Sequence, residues 1–489
     1  MSTQVQEKLL AGLRSYAALR LLSQIISWAG TIYVVRHLDS RAFGQYGIAL
    51  VVFNYLSMTY DGSLVEALIQ RPPADRAEGR AVFTVLVAIG LALAGATGAL
   101  AAPIGRLEGD PAVGPLIMGV AIALALTSFS VLPQSVLARQ MAFARLAGLG
   151  AVQALTVTAA TVWLASRGAG AWALLAGQIL GAAVRAVLLN SMHFALMLPT
   201  VHVKRALGYL KTGALLFADN LLWRWYTSLD TFLLGRWSGT AALGFYSFAQ
   251  QLAELPLEKI STVTNDVSLP AYAELRSDRN AVKALLLETL RTHATVGFPV
   301  FWGLASVAGA LVPAVFGARW QPAVFPLAAL AAVAPLRLLG SIETPAMTGL
   351  GRPGVLLKTK LIIVPGMTVA LWIGCRLAGI NGAALAWVGA FPICYTLAFR
   401  FVLAAAEVSF GELVAVVRGP ATASALMVGV VVVGSVAIAP WHPPAMVRLI
   451  AMVALGAAAY GVSLRRLDPG AFELARRRIG RLIGLRLTS

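Results

Sequence analysis

A chain of 489 residues that is 58% hydrophobic and only 12% charged, with a mean hydropathy of +0.78, is excluded from the water-soluble classes, whose domains carry about 25% charged residues. Its net charge of +18 and pI near 10.5 would suggest nucleic acid in a soluble protein. Here the basic residues punctuate apolar runs, each long enough to cross about 30 Å of hydrocarbon, so the charge orients a membrane protein and no nucleic-acid partner is expected.

In chain order, the first predicted span covers 13–36. Arg14 and Arg20 interrupt it and no small-x-small site follows a clean apolar core, so it reads as a transmembrane helix rather than a cleaved leader. Arg20, Gln24, Ser27 and Thr31 fall on one helical stripe, with Arg14 near the cytoplasmic mouth. The second span, 46–69, carries Asn54, Ser57 and Asp61. Spans 81–104, 115–136, 146–166 and 170–191 complete a first group of six, and a basic linker over 193–212 follows with Lys204, Arg205 and Lys211.

The seventh span, 214–235, is the most polar. Asp219, Trp223, Tyr226 and Asp230 make one stripe, and Asn220, Arg224, Thr227 and Thr231 the next. Along the eighth, 241–268, Gln251, Glu254, Glu258, Thr262 and Asp266 recur at helical spacing with Lys259 beside them. In the ninth, 285–316, Arg291 and His293 lie near the cytoplasmic end and read as interfacial. The tenth, 322–349, holds Arg337 halfway along, then Ser341, Glu343 and Thr344. Spans 355–377 and 380–404 close a second group of six, and 420–440 with 444–464 form a last pair. Cys375 and Cys394 both sit inside apolar stretches without zinc-ligand spacing, so buried thiols are expected and no metal or other cofactor. The tail, 468–489, alternates Phe472, Ile479, Leu482, Ile483 and Leu485 with arginines, the pattern of a helix lying on an anionic leaflet.

The expected fold is therefore an all-α integral membrane bundle of about fourteen transmembrane helices. With the N-terminus cytoplasmic, inside segments carry 27 of the 39 lysines and arginines and outside loops 8, which favours an even number of spans and both termini inside. Residues 34–46 align without a gap to 234–246, pairing Arg36 with Arg236, Ala42 with Ala242, Gly44 with Gly244 and Tyr46 with Tyr246. Further on, Pro133 pairs with Pro345, Gly170 with Gly382 and Gly177 with Gly389. A parallel duplication follows, with two pseudo-symmetric lobes of six helices related by an axis along the membrane normal. The expected domains are an N-lobe over 1–192, the linker over 193–212, a C-lobe over 213–408, two further helices within 409–467 and the basic tail over 468–489.

An ionisable side chain deep in a span costs at least about 2.5 kcal/mol and should face a partner or a wet cavity. Polar faces on spans 1, 2, 7, 8 and 10 suggest a cleft between the lobes. Arginine suits a phosphate or pyrophosphate there because its planar fork donates paired hydrogen bonds and keeps its charge. Candidate substrate-binding residues are Arg14, Arg20, Gln24, Arg224, Tyr226, Lys259 and Arg337; candidate ion-coupling residues are Asp61, Asp230, Glu254 and Glu258. The competing reading is purely structural: Arg224 paired with Asp219 or Asp230, and Lys259 with Glu254 or Glu258.

Several short motifs occur together in order: Leu38-Asp39-Ser40-Arg41-Ala42-Phe43-Gly44-Gln45-Tyr46, then Asp61, Gly62 and Ala67-Leu68-Ile69-Gln70. After Pro133 comes Leu137-Ala138-Arg139-Gln140-Met141-Ala142-Phe143, and the segment from Asp230 to Pro256 is followed by Pro270. The set resembles the polysaccharide-transporter (Wzx-like) family of the multidrug/oligosaccharidyl-lipid/polysaccharide flippase superfamily, across about residues 10–405. That resemblance implies a bundle of 12–14 helices working by alternating access in a bacterial inner membrane. It implies a substrate class of undecaprenyl-pyrophosphate-linked oligosaccharides for O-antigen, capsule or exopolysaccharide, with membrane lipids, a polysaccharide polymerase and a chain-length regulator as partners. Related lipid II flippases place arginines in the first helix, where Arg14 and Arg20 stand here. Two rival functions are a drug/cation antiporter of the same superfamily and a membrane-embedded polysaccharide polymerase or ligase. The first conflicts with an arginine-bearing cavity, the second with the absence of a sizeable predicted outside loop for catalytic groups.

Overall fold

The computed structural model describes residues 24, 26–59, 75–140, 143–192, 200, 206–275, 277–352, 354–441, 443–473 and 476; for 138, 139, 143, 144, 147, 207–224, 226, 262–267, 269, 270 and 273 the description stops at the backbone. Among the described residues the regular structure is helical, without a strand. The chain divides into two compact units, Met1–Gly244 and Phe245–Ser489.

In the first unit, helix 26–37 gives way to Asp39, whose carboxylate accepts the Ala42 N–H at 2.8 Å and caps Ser40–Met58. Asp75 caps Arg76–Glu108 in the same way, accepting from the Glu78 N–H, and Gly109 ends it at φ 70°. At 1.5 Å per residue this helix runs about 50 Å, more than the hydrocarbon thickness. Val113–Ser128 continues after a 43° bend into Val131–Leu137, the stretch that holds Pro133. Phe143–Ser166 and Ala171–Met192 follow as an antiparallel pair joined by a short turn.

Ser40–Met58 then meets the chain near its 240s in a contact too close for any side chain. A Cβ on Gly44 would stand 1.7 Å from the Thr240 carbonyl oxygen, and one on Gly244 would stand 1.7 Å from that of Ser40. Ser40 and Thr240, like Gly44 and Gly244, are 200 positions apart, the offset of the repeat. Reciprocal contact between equivalent residues is what a local two-fold axis produces.

In the second unit, Asp278 caps Arg279–Leu311 through the Ala281 N–H at 3.0 Å. A π turn, Val312–Phe316, and a 3-10 turn, Ala318–Ala323, lead into Val324–Gly340 and then Glu343–Gly349. Gly354–Ala405 is followed by Phe410–Ile438, which opens on a reciprocal Ser409/Glu412 capping box, and by Ala445–Leu467. The last two helices pack on Arg279–Leu311 through Val307, Met427, Val431, Leu449 and Met452. Ion pairs Lys283–Glu412, at 2.7 Å, and Arg291–Asp468 tie the same elements at one end.

Eight helices among the described residues are long and apolar enough to cross a membrane, or nine if the bent pair is one span; the chain is a multi-pass membrane protein. The sequence predicts about fourteen spans. Two continuous stretches account for part of the difference. Leu207–Leu275 would exceed 100 Å, roughly, as one straight helix, but breaks at Gly239, φ 81°; Gly354–Ala405 breaks at Ala378 and Gly379.

Candidate functional site

The second unit places Arg337 inside a candidate span with its side chain only 13% exposed. Leu257 and Ile260 pack against Phe301, Ala334 and Leu338, so the helix face that joins this cluster also carries Glu254 toward Arg337. Arg337 Nη2 donates to Glu254 Oε1 at 3.0 Å, and the guanidinium lies 4.8 Å from the centre of the Trp387 ring. One edge of the cation thus meets a carboxylate and one face meets an indole, two contacts that hold its plane in a fixed orientation. Gln250 Nε2 approaches the same Glu254 oxygen at 3.4 Å.

Trp387 is the first rung of an aromatic ladder on one helix face. Phe391, Tyr395 and Phe399 follow at four-residue spacing, with successive ring centres 5.6, 5.6 and 5.0 Å apart. The helix bearing Arg337 descends this ladder. A Cβ on Gly340 would lie 3.0 Å from Tyr395 Cε2 and 3.8 Å from Glu343 Oε1, so the absence of a side chain at 340 lets ring and carboxyl come together.

The remaining candidates separate. Arg14, Arg20 and Asp61 lie outside the described residues, and so do the side chains of Arg224 and Tyr226, whose backbone is helical. Gln24, Glu258 and Lys259 are exposed on their helices. Asp230 is fully buried and accepts the Thr231 backbone N–H at 2.8 Å. Glu254, one of the two acids offered as a partner for Lys259 in the structural reading, pairs with Arg337, 83 residues away. His293, expected at the interface, is 1% exposed and packs inside the unit with Nδ1 3.1 Å from the Leu338 carbonyl oxygen.

Two features of the first unit escape the sequence reading. Tyr46, Asn54 and Gln178 line a small cavity with Phe53 and Leu175, and Tyr46 hydrogen-bonds Gln178. The signal existed, because a glutamine in the middle of the 170–191 apolar run is costly unless partnered. Asp110, in the loop after Arg76–Glu108, accepts from Arg41 Nε at 3.2 Å, Gln45 Nε2 at 2.8 Å and Thr240 Oγ1 at 3.1 Å through one oxygen, and from the Ala112 N–H at 3.1 Å through the other. Burial works to raise its pKa, but those four donors prevail and hold it down to about 2.

The sequence matches the family described as polysaccharide biosynthesis protein over residues 33–325, more than half of the chain. The lipopolysaccharide biosynthesis protein WzxC of Escherichia coli (strain K12) is 23% identical over 386 residues, 78% of either chain. The succinoglycan biosynthesis transport protein ExoT of Rhizobium meliloti (strain 1021) is 25% identical over 436 residues, 88% of this chain and 87% of that one. Among solved structures, the lipid II flippase MurJ in an inward closed conformation superposes with a TM-score of 0.77 at 14% identity, covering 92% of this chain and 98% of that one. That likeness carries the fold, and the matched family carries the relationship. The chain belongs to the polysaccharide biosynthesis protein family.

Proposed function

We propose that this protein exports undecaprenyl-pyrophosphate-linked oligosaccharide units from the cytoplasmic to the periplasmic leaflet of a bacterial inner membrane, by alternating access, for O-antigen, capsule or exopolysaccharide synthesis. In this reading it has fourteen spans in two six-helix lobes plus a terminal pair, with both termini cytoplasmic. The breaks at Gly239 and at Ala378–Gly379, each splitting one long helix in two, support the higher span count. A polymerase and a chain-length regulator would take over the exported units.

The observation that carries the substrate class is Arg337, a fixed positive charge held inside a span of a polysaccharide-transporter fold. Such a residue is expensive and by default functional. A pyrophosphate offers the guanidinium paired acceptors and more negative charge, where Glu254 meets it through one oxygen, so the substrate can exchange with Glu254 for the arginine. Arg14, Arg20, Gln24, Arg224, Tyr226 and Lys259 complete the proposed substrate path, and Asp61, Asp230, Glu254 and Glu258 the proposed ion-coupling set.

The test is a deletion strain complemented with variants. Wild-type protein should restore polymer export and clear lipid-linked repeat units from the cytoplasmic leaflet. Arg337→Ala should insert at a normal level and leave those units accumulated, with Arg337→Lys only partly active because an ammonium lacks the planar fork. Normal export by Arg337→Ala would refute the role given to this arginine. A normal glycan profile in the deletion strain itself, with altered drug tolerance, would replace the export reading with the antiporter.

A further inference from the structure

Six residues beyond Arg337, the same span carries a second ionisable group that the substrate path does not use. Glu343 is 9% exposed within Ala318–Gly349. Two hydroxyls and one cation surround it, all from the stretch 354–405. Thr359, itself 2% exposed, is its hydrogen-bond partner, and Lys360 acts on it electrostatically. Tyr395 faces it across Gly340, at 5% exposure, and the buried Tyr395 hydroxyl has no hydrogen-bond partner among the described residues.

Thr359 Oγ1 also lies 2.9 Å from the Leu356 carbonyl oxygen. With one rotatable proton and two lone pairs, the hydroxyl can donate to a Glu343 carboxylate or, with its proton on Leu356, accept the O–H of a Glu343 carboxylic acid. The site therefore accommodates both forms of the carboxyl. Burial in an apolar span favours the neutral form for the same reason that an isolated charge there is costly. Lys360 pulls the other way, so the group has a means of becoming charged as well as of being neutral.

We propose that Glu343 is a proton-binding carboxyl that loads and unloads one proton during the transport cycle. Loaded, its O–H donates to Thr359 Oγ1. Unloaded, the carboxylate faces Lys360 and accepts from the Tyr395 hydroxyl after a side-chain rotation. One proton is gained and the same proton is lost, with no other bond made or broken. A metal cation fits worse: hard cations are held by a shell of oxygens, and this site offers one carboxyl and two hydroxyls beside an ammonium. The link to transport rests on the export function proposed above, but proton binding does not.

The experiment is infrared difference spectroscopy on the full-length protein in lipid nanodiscs, titrated from about pH 6 to about pH 9. The expected result is a protonated-carboxyl absorption that shifts in heavy water, bleaches as the pH rises and disappears in Glu343→Gln. Lys360→Met should move the bleaching to higher pH, because removing the cation disfavours the carboxylate. It also serves as a second variant should Glu343→Gln fold poorly. No Glu343-dependent absorption anywhere in the range, or bleaching driven by sodium at constant pH, overturns the proposal. In complemented cells, Glu343→Gln should reduce export about tenfold or more at normal protein level. Equal export by wild type and Glu343→Gln overturns the coupling role, whereas failure of wild type to restore export defeats the transport reading and leaves the infrared result standing.

Discussion

At the scale of single residues, Asp110 shows how a loop acid becomes structural. Its side chain is 5% exposed and its partners lie 65, 69 and 130 residues away in sequence. No periodicity could have singled it out. Arg337 and Glu254 were visible because a charge inside an apolar run is conspicuous, but their pairing was not, since nothing local chooses between Lys259 and an arginine 83 residues away. The depressed pKa of Asp110, about 2 against an ordinary 3.8, makes a prediction with a definite sign. A carboxyl lowered in the folded state adds stability that is fully present above its unfolded value and is lost as pH falls through the folded one. Asp110→Asn should therefore melt below wild type in detergent at pH 7, with a loss of about 1–3 kcal/mol for bonds to a charged acceptor. The gap should close as the pH drops from about 4 toward about 2. A gap that stays constant over that range would show that the carboxylate charge is not what the four donors stabilise.

At the scale of elements, the close approach of two glycines 200 positions apart fits the expected duplication. Short matches of glycine and alanine are common in membrane helices, and only the structure shows that Gly44 and Gly244 occupy each other's crossing. On that reading, the two copies have diverged around it. In the first unit Gln45 reaches Asp110, while its counterpart Phe245 packs edge-on to Trp320 at 5.7 Å and Phe248 lies 4.4 Å from the same indole. A polar hub in one copy answers an aromatic one in the other, a change invisible to pattern matching because both fill the same place by different chemistry. With 1.7 Å between a notional Cβ and a backbone oxygen, no rotamer adjustment can accommodate a side chain. Gly44→Val and Gly244→Val should each lower the level of folded protein severely, read by fluorescence-detected size exclusion. Gly148→Ala, where a Cβ meets nothing within 4 Å, should behave as wild type. Tolerance of Gly44→Val would mean the crossing is looser than it stands here. The expected span boundaries at 235–241 and 377–380 coincide with the breaks at Gly239 and at Ala378–Gly379, because glycine interrupts the apolar runs at both places.

At the scale of the whole molecule, two tryptophan–arginine pairs mark the orientation of the chain. Each unit contains an exposed tryptophan with an arginine four residues later stacked over it: Arg167 over Trp163 at 5.2 Å and Arg376 over Trp372 at 5.6 Å. The tryptophans are 58% and 50% exposed, and each pair closes its helix just before a glycine with positive φ, Gly168 in one and Gly379 in the other. Amphipathic rings and basic groups of this kind gather at membrane–water interfaces. In a parallel repeat both pairs must lie on the same side of the bilayer; in an inverted one they would lie on opposite sides. On the topology expected from the loop charges, both lie outside. In a background with Cys375 and Cys394 replaced by alanine, Arg167→Cys and Arg376→Cys should both react with an impermeant thiol reagent in intact cells. Arg465→Cys, exposed at the end of Ala445–Leu467, should react only after permeabilisation. Opposite labelling of positions 167 and 376 would rule out the parallel duplication. Labelling of 465 from outside would mean an odd number of spans between it and the cytoplasmic linker, and would require the arginine count to be explained by something other than topology.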